Sequence, residues 1–199
     1  MQRETYTVFQ NLERNIRNHR THHLQRFSIM VDQIIVGVLT WFHVVSVIGW
    51  TGAALTFLIS IRSSLPKLSP QASGEFVVKA MPRFVRSVQV FTVLTLVFGP
   101  SLALAMNDGP PNQFNLVSPW SIFVTLGASV GIVMLLVVFF LFTPTANGLV
   151  QTVKQMQQNP GQPPPAKFGA LQKRLAIIPP LGVTLLLLAE AFMVTAAQF

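Results

Sequence analysis

Four long apolar runs organise this chain. The first is VDQIIVGVLTWFHVVSVIGWTGAALTFLISIR, Val31 to Arg62. It has no formally charged residue between Asp32 and Arg62, about 29 positions. Roughly 20 are enough to cross the hydrocarbon of a bilayer, so a membrane-spanning helix is predicted over about 33–61. SVQVFTVLTLVFGPSLALAM predicts a second span over 87–106, kinked at Gly99-Pro100. A third is predicted over 119–148, ended or bent by Pro144. The fourth covers 176–198, with Pro179 and Pro180 in its first turn, where proline is tolerated. The fold class is therefore all-α: a polytopic membrane protein whose residues 31–199 make a four-transmembrane-helix bundle.

The connecting stretches read differently. In 63–86, Pro66 and Pro70 stop the first helix, and a short surface helix from Ser73 to Arg86 follows, with Ser73 as its cap. NDGPP, Asn107 to Pro111, is a turn signal. In 150–175 the PGQPPP run reads as a stiff linker. Residues 1–30 form a basic N-terminal surface segment, either an amphipathic helix or a disordered tail.

Composition narrows the classes. Of 199 residues, 51% are hydrophobic and 10% charged, against roughly 25% charged in soluble domains. That leaves no room for a separate extramembrane domain. There is no cysteine, which excludes disulfides, thiolate nucleophiles, iron–sulfur clusters and Cys-ligated zinc. The polar N-terminus gives no sign of a cleavable signal peptide. The net charge of +8 lacks the interleaved aromatics of a nucleic-acid surface, so no nucleic-acid partner is expected.

The charge sits in particular loops. Arg62, Lys67, Lys79, Arg83, Arg86, Lys154, Lys167, Lys173 and Arg174 fall in the first and third loops, while the second has no Lys or Arg. The positive-inside rule then makes loops 62–86 and 150–175 cytoplasmic in a multi-pass plasma-membrane protein. The N-terminal arginines, Arg3, Arg14, Arg17, Arg20 and Arg26, pull the other way. The expected partners are the lipid bilayer and either other membrane subunits or further copies of the chain.

Soluble-enzyme motifs are absent, and no catalytic residue is assigned. Two ionisable side chains lie inside the spans, His43 and Glu190. Such groups usually face the bundle and mark function. His43 shares a helical stripe with Thr40, Ser46, Trp50, Ala53 and Phe57, and Ser46, Gly49, Gly52 and Ala53 are small enough to admit a neighbouring helix. Counting helical rise puts His43 about 10 Å, and Glu190 roughly 10–13 Å, below the outer surface, which predicts that they pair. A histidine bonded to a neighbouring helix is the plainer alternative. His19, His22 and His23 share one face of the N-terminal segment and form a second candidate metal group, with a solvated basic face as the plainer reading.

TWFHVVSVIGWTGAAL, a gap with basic residues, and MPRFVRSVQVFTVLTLVFGPSLAL together resemble the four-helix superfamily of CopD-like copper resistance proteins and HemJ-type protoporphyrinogen oxidases. The resemblance covers about residues 35–105. In that superfamily a first-span histidine precedes a Trp-x-Gly-Gly-like element by about seven residues. Here the histidine maps to His43 and the tryptophan to Trp50, with Gly52-Ala53 in place of the glycine pair. The resemblance implies haem b or copper as cofactor, with His43 as ligand; Trp50 and Glu190 complete the candidate cofactor-binding set within the spans. Unlike the oxidases, this chain has no Lys or Arg in its third and fourth spans. The remaining classes are a non-catalytic subunit of a larger membrane complex and a proton or solute carrier using His43 and Glu190.

Overall fold

The computed structural model describes residues 30–106 and 118–199. The N-terminal segment, with His19, His22 and His23, lies outside the described residues, as do residues 107–117. The described residues form four long helices: α1 (Met30–Lys67), α2 (Pro70–Met106), α3 (Pro119–Gln158) and α4 (Ala166–Ala196). Each is long and apolar enough to cross a membrane. No strand occurs among the described residues.

Side-chain contacts fix the bundle's topology. His43, Gly49 and Phe57 of α1 meet Gly99, Phe91 and Phe84 of α2, so one number rises as the other falls. Gly127, Met134 and Gly148 of α3 meet Met193, Gly182 and Leu171 of α4 in the same way. The helices therefore run up and down in turn, as in a four-helix bundle.

At 1.5 Å per residue the helices are about 46–60 Å long, against a hydrocarbon core of about 30 Å. The excess lies at the basic end, where the helices continue as a water-facing cap. There Thr143–Gln158 of α3 is amphipathic. Ala146, Leu149, Val150 and Val153 are buried at three- and four-residue intervals, and Asn147, Gln151 and Lys154 are exposed. The buried set packs with Val77, Met81 and Val85 of α2 and with Leu175 and Ile178 of α4. A second core lies within the apolar band, formed by Trp50, Val88, Met134, Val138 and Leu186.

The cap alters the expected loops. Helix α3 runs ten residues past 148, and α4 starts at 166, leaving only residues 159–165 between them. Pro179 and Pro180 are therefore interior to α4, and the carbonyls of Leu175 and Ala176 lose their usual donors. In the first loop, Ser69 caps the helix from Pro70 by accepting from the Ala72 amide. Ser73, the expected cap, falls in that helix's first turn. Pro82 lacks an N–H, and α2 is interrupted at Ala80. Pro144 does not end α3. A π-helical turn, Val137–Phe142, precedes it and the helix continues. A matching π turn, Thr56–Ile61, lies in α1, and Phe57 meets Phe142 edge-on with ring centroids 6.3 Å apart.

Candidate functional site

Helix α1 presents one stripe to α2. Along it Ser46, Trp50 and Phe57 are buried and His43 is half-buried, while Thr40 faces outward. Gly49 allows the closest crossing, since a Cβ there would lie 2.4 Å from Phe91 Cε1. Gly52 lies off this contact, with nothing within 4 Å of its would-be Cβ. Of the two glycines among the small residues expected at the helix contact, Gly49 makes one and Gly52 does not.

His43 is seated on the Gly99-Pro100 turn of α2. A Cβ at Gly99 would lie 2.9 Å from His43 Cε1 and 3.2 Å from Nδ1. Only a glycine lets the imidazole come this close. Pro100, the next residue, is inside the helix and takes the donor from the Leu96 carbonyl. The ring also lies against the Thr95 backbone. His43 Nδ1 and Thr95 Oγ1 are buried, and neither has a hydrogen-bond partner among the described residues.

Thr95 differs from the other hydroxyls of the apolar part of α2. Ser87, Thr92 and Ser101 each donate to the carbonyl four residues back. Thr95 and Gly99 are one turn apart and so share a face. The site thus joins an imidazole Nδ1 and a hydroxyl, each without a hydrogen-bond partner among the described residues, beside the Gly99-Pro100 pair. Sequence reasoning missed Thr95. The signal available was its position four residues before the glycine of the Gly99-Pro100 pair.

Glu190 is not at this site. Its Oε1 accepts a hydrogen bond from Thr51 Oγ1, which ties α4 to α1. Thr51 is eight residues from His43, about 12 Å along α1 and about 80° around it. His43 therefore faces α2 and Thr51 faces α4, and the expected pairing of His43 with Glu190 is replaced by Thr51 with Glu190. Helical rise set the depth of each residue but not the direction each one faces. Gln89 Nε2 donating to Thr143 Oγ1 at 3.1 Å is a further polar tie, between α2 and α3.

Trp50 is a core residue, only 2% exposed. With Phe57, Phe84, Met134, Phe142 and Gly182 it lines a cavity of about 50 Å³ between the helices. The cavity is apolar, and it is far too small for a porphyrin.

The described residues contain no group of three His, Cys, Asp or Glu side chains able to hold a metal ion. They do not fit a copper centre built from several such donors. A haem brings four donors in its macrocycle and needs one axial imidazole, and His43 is the one histidine among the described residues. His43 has a buried Nδ1 beside α2, and the residue as a whole is only partly buried. Metal-ligating histidines use one nitrogen for the metal and anchor the other to a neighbouring group. No protein-family model, curated protein or solved structure matches the chain.

Proposed function

We propose that this multi-pass membrane protein is CopD-like and uses His43 as the axial ligand of a haem b. One observation carries the reading: an imidazole seated on Gly99 with Nδ1 buried and the residue as a whole partly exposed. Gly99 gives the ring its place, the Thr95 turn faces Nδ1, and the bundle fixes the depth. A bound haem would supply a one-electron redox centre. The chain's own work is to hold the imidazole and to keep it out of water. In this reading the basic end faces the cytoplasm of a plasma-membrane protein. Cysteines placed at Gln71 and Gln162 should then resist an impermeant thiol reagent in intact cells, and one at Gln113 should label.

A second reading, a non-catalytic subunit of a larger membrane complex, is favoured by the outer half of α1. Trp41 is 60% and Ile48 65% exposed, and Gly37 has nothing within 4 Å of its would-be Cβ. That surface leaves space for a helix of another subunit.

Absorbance spectra of detergent-purified protein separate the two. A Soret band that disappears in His43→Ala, with insertion unchanged, supports the haem reading. A band retained in that variant overturns His43 as ligand and turns attention to His19, His22 and His23. A colourless chain comigrating with other membrane subunits supports the second reading.

A further inference from the structure

The cap carries charge that nothing in the chain balances. Arg62 and Lys67 on α1, Lys79, Arg83 and Arg86 on α2, Lys154 on α3, and Lys167, Lys173 and Arg174 on α4 are all exposed. The one acid among them is Glu75, held by Lys79 at 3.0 Å. The other described acids are far from the cap: Asp32 begins the opposite end of α1, and Glu190 is bonded to Thr51. Apart from Lys79, each of these cations is without a carboxylate partner among the described residues.

Their placement selects a partner. Arg62 directly follows the apolar run of α1, Arg86 directly precedes that of α2, and Arg174 directly precedes that of α4. These positions are where lipid headgroups meet the bundle. The cations are exposed and stand on all four helices, not on one. A soluble acidic partner would contact one side; a ring of headgroups contacts every side. Arginine adds the planar fork that matches a phosphate bidentately.

We propose that this crown binds the phosphates of anionic phospholipids, independently of whether His43 holds a haem. Attraction of this kind falls off within about a Debye length, so salt should erase it.

The test uses the full chain in lipid–detergent micelles containing phosphatidylglycerol or phosphatidylcholine, with thermal unfolding as the readout. The expected result is a higher Tm in phosphatidylglycerol than in phosphatidylcholine at 100 mM salt, with the difference gone at 1 M. Combining Arg83→Gln, Arg86→Gln, Lys173→Gln and Arg174→Gln should remove more than half of that difference. Because each variant is compared with itself in phosphatidylcholine, a general loss of stability cancels. Equal Tm in the two lipids overturns the proposal, as does a full difference in the fourfold variant. So does an equal rise produced by soluble polyphosphate in phosphatidylcholine, which would mark an anion site indifferent to lipid.

Discussion

His43 occupies the volume that a side chain at Gly99 would need: a Cβ there would stand 2.9 Å from the imidazole Cε1. The two residues form one steric unit across the α1–α2 contact. Gly99→Ala should push the ring off its seat. Alanine is the better helix former by up to about 1 kcal/mol, so the helix itself should tolerate the change. If His43 holds a haem as proposed, the expected outcome is a shifted or lost Soret band with Tm changed by only a few degrees, checked by absorbance and thermal unfolding on the same sample.

Gly49 and Gly52 provide a paired comparison on one helix. Gly49→Ala forces a Cβ to within 2.4 Å of Phe91, a core overpacking that typically costs about 1–3 kcal/mol. Gly52→Ala meets nothing within 4 Å and should be neutral or slightly stabilising. Detergent-titrated unfolding of both variants measures this. Phe91→Ala should recover most of the Gly49→Ala loss, since the clash is with the ring alone.

The Thr51–Glu190 contact predicts an asymmetry. Thr51→Val leaves a carboxyl between α1 and α4 without its donor, which should cost about 1–3 kcal/mol. Glu190→Gln keeps an oxygen to accept from Thr51 and should cost less. In a double-mutant cycle of Thr51→Val with Glu190→Leu, the combined loss should fall short of the sum. Strict additivity would mean the contact contributes nothing. In contrast, His43→Ala and Glu190→Leu should add, because the two side chains have different neighbours.

Burial is worth more in the cap than in the lipid. Leu149 is 7% exposed in the water-facing core, so Leu149→Ala should cost about 2–5 kcal/mol. Ile132 is 57% exposed toward hydrocarbon, where shortening a side chain exchanges one apolar contact for another, and Ile132→Ala should be close to neutral. Comparing the two by urea unfolding in micelles checks which solvent drives the packing.

The four helices and their alternation were legible because apolar length alone dictates them. The cap was legible in principle: Ala146, Leu149, Val150 and Val153 carry the helical period past the apolar run. A hydropathy reading stops at the hydrocarbon edge, so it assigned that stretch to a loop. Ser69 and Ser73 are equally good caps by residue type, and Pro70 at the first helical position decides for Ser69. His43 was found because it is ionisable. Thr95 was not, because a threonine in a membrane helix ordinarily bonds its own backbone and gives no outward sign when it does not. The partner of Glu190 depends on the direction each helix faces, which no single run of sequence encodes.

The water-facing core has a mechanical consequence. Apolar helices dissolved in lipid gain little by touching, whereas each Leu or Val buried in the cap contributes about 1.5–3 kcal/mol against exposure to water. Helix α1 is thus fastened toward its basic end, where Trp50, Thr51 and Phe57 are held, as one arm of tongs is at the rivet. At the far end, α1 beside His43 rests mainly on α2, and its Val38, Trp41, Val45 and Ile48 face hydrocarbon in any case. Parting the free tips there exposes no new surface to water. If His43 holds a haem, this is the side from which the flat ring would enter while the rivet holds.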